Sequence, residues 1–144
     1  MNYIALIVGI LTVTFIIFRF KKTRLERTKW AYPLLLASFP VYYFVFAVYA
    51  QDYKALAYEV IFGAFFILAA YLGYKANRKL SLLVVGVFYL LHAAYDLFHD
   101  YSFVNTGTPT WWPEFCGSID LILGFYLIFL ALSLSGRSHI LNKS

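Results

Sequence analysis

The sequence predicts an all-α membrane protein: a bundle of five transmembrane helices and no separate soluble domain. Three observations carry this. Of 144 residues, 62% are hydrophobic and only 13% charged, whereas a soluble domain has about a quarter charged residues to cover its surface. Five apolar runs each reach roughly the 20 residues that span a hydrocarbon core as a helix. The basic residues sit almost entirely on one side of those runs, as membrane topology requires.

In order, the runs are 2–19, 30–50, 56–75, 80–101 and 114–135, within a single membrane domain, 1–144. The first has no basic segment before it and no small-residue cleavage site after it, so it reads as a retained helix and not a signal peptide. "RFKKTRLERTK" follows, with Arg19, Lys21, Lys22, Arg24, Arg27 and Lys29. Only "QDYK" separates the second run from the third, and "KANRK", with Lys75, Arg78 and Lys79, the third from the fourth. "SFVNTGTPTWWP" precedes the fifth, and the tail adds Arg137 and Lys143. Every Lys and Arg except Lys54 therefore falls on one side. This places the first and third loops and the C-terminus in the cytoplasm and the N-terminus outside, in the inner (plasma) membrane of the cell. The same rule accounts for a pI near 9.3 without nucleic acid as a partner. The first basic loop is suited to anionic lipid heads. Trp30 and Tyr74 on the inner border, and Tyr53, Tyr101, Trp111 and Trp112 on the outer, are expected as interfacial anchors. His139, in the tail, is expected to be solvated. Cys116 is the single cysteine, so helix packing and not disulfides must hold the fold.

The acids break the pattern. Among Glu26, Asp52, Glu59, Asp96, Asp100, Glu114 and Asp120, only Glu26 lies in a cytoplasmic loop. The others gather in the outer half with His92 and His99, and topology does not demand this. The pairs "YEVIFG" and "IDLILG", and "FAVYAQDY" and "AYDLFHDY", raise the further expectation that helices 2–3 and 4–5 are duplicated hairpins, as occurs in membrane folds. Only the second hairpin would carry the histidines.

In "LLHAAYDLFHDY", successive helical residues turn by about 100°, so Asp96 and His99 lie about +40° and −20° from His92. The three share one stripe, with Asp100 at its margin. Charges aimed at lipid are costly, so the stripe must face the bundle interior. Counted at about 1.5 Å per residue, Glu59, Asp96 and Asp120 occupy overlapping depths on three helices. They are expected to meet in one pocket between helices 3, 4 and 5, open to the outer leaflet. Gly63, Gly117 and Gly124 would allow the close approach.

Three kinds of chemistry fit such a group. The first is a metal centre, because histidines and carboxylates at helical spacing are how bundles hold ions. Its ligands would be His92, Asp96, His99 and Asp120, with Glu59 as an alternative. Its ion would be divalent, zinc first and iron or manganese next. Asp96, Asp120 and Glu59 would then be the catalytic carboxylates of a metal-dependent hydrolase acting on a lipid or other amphipathic molecule. The second is a metal-free acid–base site, for an isomerase or for a small-solute or proton carrier that would need to form a homo-oligomer. The third is a structural or partner-binding polar network. The loop 105–116 is the expected lid, stiffened by Pro109 and Pro113, with Glu114 complementing the dipole of helix 5. Cys116 shares the face of Asp120 and is expected as a small packing residue before a soft ligand. No P-loop, G-x-S-x-G, C-x-x-C or H-E-x-x-H motif is present.

The pattern Glu59-x3-Gly63, His92-x3-Asp96-x2-His99 and Pro109-x-Trp111-x-Pro113-x2-Cys116-x3-Asp120 resembles a family of small bacterial integral-membrane proteins of unknown function. The resemblance covers helices 3 to 5 and implies no activity. The zinc hydrolases of the adiponectin-receptor and alkaline-ceramidase group are a chemical analogy only, with seven helices and other spacings. Five-helix sterol isomerases with a His-x3-acid pair are an analogy for the metal-free alternative.

Overall fold

A computed structural model describes residues 1–141, except for the side chains of Asp100 and of residues 135–141. The side chains of Asp100, Arg137 and His139, and the whole of Lys143, therefore lie outside what is described. The described chain is helical: α1 (Tyr3–Lys22), a single 3-10 turn (Leu25–Arg27), α2 (Ala31–Tyr49), α3 (Tyr53–Lys75), α4 (Arg78–Ser102) and α5 (Trp112–Leu141). All five α-helices contain a segment long and apolar enough to cross a membrane, with mean hydropathy between 1.7 and 2.3.

Local chemistry sets the helix starts. Asn2, Asp52 and Asn77 accept backbone N–H groups of the first turns of α1, α3 and α4, satisfying donors that have no partner inside the helix. The caps at Asp52 and Asn77 begin α3 and α4 two or three residues before the apolar runs do. Asp52 takes the Ala55 N–H at 3.0 Å, and this bond holds its carboxyl below the usual range. The α2–α3 turn is tight because Gln51 adopts a left-handed conformation (φ 56), and Asp52 N–H reaches back to Ala47 O.

Successive helices run in alternating directions. The Lys and Arg residues of the first and third loops gather at one end of the bundle, while Asp52, Glu114 and the buried acids lie toward the other. Laterally the order is α1, α5, α4, α3, α2, with α2 closing back onto α4. The side chains pointing outward are apolar, among them Ile7, Leu11, Phe15, Leu68, Leu97 and Phe129. A protein in water would not leave such a perimeter uncovered. The interior is aromatic, built on Phe39, Tyr43 and Tyr89.

Two glycines test the expected close approaches. Gly124 packs against α4: a Cβ there would lie 2.5 Å from Leu90 Cδ2 and 2.9 Å from Gly86 O. Gly63 faces α2 instead, and a Cβ would meet Phe44 and Pro40. The α3–α2 contact, and not an α3–α4 contact, is what Gly63 makes tight.

Candidate metal centre

α4 is the central helix, in contact with α2, α3 and α5, so its polar stripe has protein on every side that matters. His92, Asp96 and His99 are buried to 1% exposure or less. Glu59 of α3 and Asp120 of α5 are buried with them. The inward direction expected from the stripe is what the structure has. The stripe does not build one pocket, however. It serves two partners on opposite flanks.

Toward α5, His92 Nδ1 lies 2.8 Å from Asp120 Oδ2 and 3.6 Å from Asp96 Oδ1. Cys116, one turn before Asp120, places Sγ 3.7 Å from Asp120 Oδ2. One candidate ligand atom from each of His92, Asp96, Cys116 and Asp120 lies within 4.8 Å of all the others. Tyr43 of α2 donates its hydroxyl to Asp96 Oδ1 at 2.7 Å. His92 Nε2, Asp96 Oδ2 and Asp120 Oδ1 are buried and have no hydrogen-bond partner. The imidazole is walled by Phe66 and Phe39, with ring centroids 4.6 and 5.8 Å away.

Toward α3, His99 Nε2 lies 2.8 Å from Glu59 Oε1. Tyr95 donates to Glu59 Oε2 at 2.6 Å, and Asn105 Nδ2 to Glu59 Oε1 at 2.9 Å. Asn105 also reaches Tyr43 O at 3.3 Å. Here one acid meets one imidazole, and both carboxylate oxygens are occupied. Glu59 and His99 thus stand together, and apart from the other four.

The charge balance of the two groups differs. Glu59 and His99 can neutralise one another. Asp96 and Asp120 share a single imidazole, and no Lys or Arg among the described residues forms an ion pair with them. An unpaired charge at such depth costs several kcal/mol. The group therefore calls for a proton held between the carboxylates or for a cation.

A divalent ion fits the donor set. Imidazole, carboxylate and thiolate are the usual zinc ligands, at about 2.0 to 2.3 Å from the ion, which puts tetrahedral neighbours about 3.3 Å or slightly more apart. The 3.6 and 3.7 Å separations here are close to that spacing. Those separations run to Asp96 Oδ1 and Asp120 Oδ2, which are also hydrogen-bonded to Tyr43 and His92, while the unpartnered Asp96 Oδ2 and Asp120 Oδ1 offer further lone pairs.

A cleft of about 520 Å³ reaches this group, and it lies between α1, α4 and α5, whereas the sequence points to helices 3, 4 and 5. The reason is side-chain bulk. Tyr95, Phe62 and Phe66 fill the α3–α4 seam, while Gly117 leaves the α4–α5 seam open beside Asp96. Trp112 also differs from expectation. It is buried, with its ring against Phe46 and Tyr42, and not an interfacial anchor, because α5 starts at residue 112 and turns that ring toward α2. Trp111, Tyr53, Tyr101, Trp30 and Tyr74 are exposed as expected. Glu114 lies in the first turn of α5 and accepts the Asn2 N–H at 2.9 Å.

Tyr43, Tyr95 and Asn105 were not marked by the sequence. Tyr95 carried a usable signal, since it flanks the stripe three residues after His92. Tyr43 is one of 13 tyrosines, and nothing local separates it from the interfacial ones. Asn105 reads as an ordinary turn residue, and it does make such a turn, accepting the Gly107 N–H at 3.1 Å. Comparison of the chain with protein-family models, curated proteins and solved structures finds no match.

Proposed function

We propose that the protein is a metal-dependent membrane enzyme whose centre is formed by His92, Asp96, Asp120 and Cys116. The observation that carries this is the buried pair of carboxylates with one imidazole between them and an unpartnered oxygen on each. Two carboxylates and a neutral imidazole balance one divalent ion, and Cys116 bound as a thiolate would leave the centre with one negative charge. The thiol of Cys116 makes zinc the first choice, with iron or manganese as alternatives. Held by three of these groups with a position left open, such an ion would activate water and polarise a carbonyl, which suits hydrolysis. Asp96 and Asp120 then act as ligands and acid–base groups. Glu59 and His99 are positioning residues: they fix α3, α4 and the 105–107 loop around Tyr43, and Tyr43 orients Asp96.

With the N-terminus outside, the centre lies toward the outer leaflet of the plasma membrane, within reach of lipids or other amphiphiles. The partners in this reading are membrane lipids and a lipid-like substrate, with a homo-oligomer compatible and no nucleic acid.

Elemental analysis of protein purified without chelator tests the proposal. About one divalent ion per chain is expected in wild type and in His99→Ala, and a loss in His92→Ala and Asp120→Asn. Wild-type protein without stoichiometric metal would sink it. A metal-free proton-transfer site is the second reading. It is favoured by the 2.8 Å His92–Asp120 separation, which is a hydrogen-bond distance and shorter than the spacing of two zinc ligands.

A further inference from the structure

The cleft between α1, α4 and α5 is walled by Leu6, Ala93, Leu97 and Leu121, with Asp96 and Gly117 at its floor. Its volume, about 520 Å³, falls within the roughly 300 to 1,000 Å³ of small-molecule sites. Thr110, Glu114 and Tyr101 are its polar residues nearer the mouth. Asp96 is 1% exposed and lines the cleft, and no donor reaches its Oδ2. Gly117 makes this possible. A Cβ built on it would meet only Asp96 Cβ and Oδ2, each 3.9 Å away. Helix packing does not require a glycine here, in contrast to Gly124. Its absent side chain leaves a window onto Asp96. The grooves on the α3–α4 side are lined by residues that include none of His92, Asp96, Cys116 and Asp120.

The lining is also uneven in charge. It contains two carboxylates and no Lys or Arg side chain. The terminal amine of Met1 is the cation present, 3.8 Å from Glu114 Oε1, while Glu114 Oε2 has no partner. An anionic head group would meet no Lys or Arg, and the one cation near it is already paired with Glu114. The walls are apolar and continuous with the lipid-facing surface at Leu97 and Leu121, both exposed.

We propose that this cleft admits a non-anionic acyl amphiphile, an ester or amide with one chain, directly from the bilayer. Gly117 is the aperture through which its carbonyl reaches the centre at Asp96. This deepens the metal-enzyme reading and rests on it for the reaction and for the carbonyl's partner, since Asp96 Oδ2 is itself an acceptor. In that reaction water adds its oxygen to the acyl carbon, the bond to the alcohol or amine breaks, and the leaving group takes the proton. The acid formed ionises and is then disfavoured beside Glu114, which favours its release.

Photolabelling of the full chain in liposomes tests the proposal, using a diazirine-bearing monoacylglycerol and the matching fatty-acid anion, with labelled residues mapped by mass spectrometry. The monoacylglycerol is expected to label 93–97 and 117–121 at least tenfold more than the anion does. Gly117→Val should lower that labelling about tenfold with metal content at the wild-type level. Gly117→Ala, whose Cβ makes only ordinary contacts, should fold normally and give an intermediate loss. Equal labelling by both probes, or labelling unchanged in both Gly117 variants, would overturn the proposal. Selective, Gly117-dependent labelling of protein that holds no metal would support the cleft and count against the metal reading alone.

Discussion

Tyr43→Phe is the sharpest probe of the centre, because it deletes one oxygen and keeps the ring. The hydroxyl donates to Asp96 Oδ1 at 2.7 Å, inside the roughly 2.5 to 2.7 Å range of O–H donors to a charged acceptor. Both residues are buried to 1% exposure, so no water replaces the lost donor. Hydrogen bonds to charged groups contribute about 1.5 to 3 kcal/mol, and that is the expected loss of stability. The ring still stacks near His99, with centroids 4.8 Å apart, and still meets Phe46 and Trp112, so no cavity term is added. Freed from Tyr43, Asp96 loses the partner that fixes its orientation. A ligand deprived of such support loses about 10- to 100-fold in metal affinity. Equilibrium unfolding in mixed micelles measures the first quantity and competitive chelator titration the second. Tyr49→Phe, at a site 87% exposed, serves as the control and should change neither. A stability loss below about 0.5 kcal/mol, within the range of neutral surface changes, would refute the charged hydrogen bond. A full stability loss with unchanged metal affinity would remove Asp96 from the ligand set.

Two further substitutions separate the parts of the network. Glu59→Ala leaves a buried His99 without its carboxylate and strips Tyr95 and Asn105 of their acceptor. It should cost about 3 to 5 kcal/mol in the same unfolding measurement, yet retain the metal if Glu59 only positions. Gly124→Val drives side-chain atoms into Leu90 and the Gly86 carbonyl. It should cost about 1 to 3 kcal/mol by overpacking, and by parting α4 from α5 it should weaken metal binding as well. Intact affinity in a destabilised Gly124→Val would show that the centre tolerates a looser seam.

Five apolar runs were legible because the bilayer imposes a length and a composition that a short window of sequence reveals. The helix starts were less legible, since Asp52 and Asn77 extend α3 and α4 through polar residues that hydropathy assigns to loops. The stripe of α4 was legible through its angles alone: three residues within a narrow arc must share one surroundings class, and lipid was too costly. Angles give a direction and not a partner. Whether Glu59 joins His92 or His99 depends on helix rotation and on which seam is filled. Tyr95, Phe62 and Phe66 decide that, by contacts between residues more than 25 positions apart. Trp112 escaped for the same reason, as its placement follows from the start of α5 and not from its own type.

The division of the network follows from counting charge against depth. His99 and Glu59 neutralise one another, and Tyr95 and Asn105 supply donors to Glu59. A bundle needs such closure where a loop must be held against helices, and both Glu59 oxygens are taken up by it. His92, Asp96 and Asp120 are incomplete in charge and in hydrogen bonds at once, and they sit beside the one seam where Gly117 keeps bulk away. Incompleteness alone would only destabilise, and an open seam alone would only admit lipid. Their coincidence at Asp96, whose one oxygen is held by Tyr43 and whose other faces the cleft, is what separates a site from a structural network. The same carboxylate is therefore where packing ends and chemistry has room to begin.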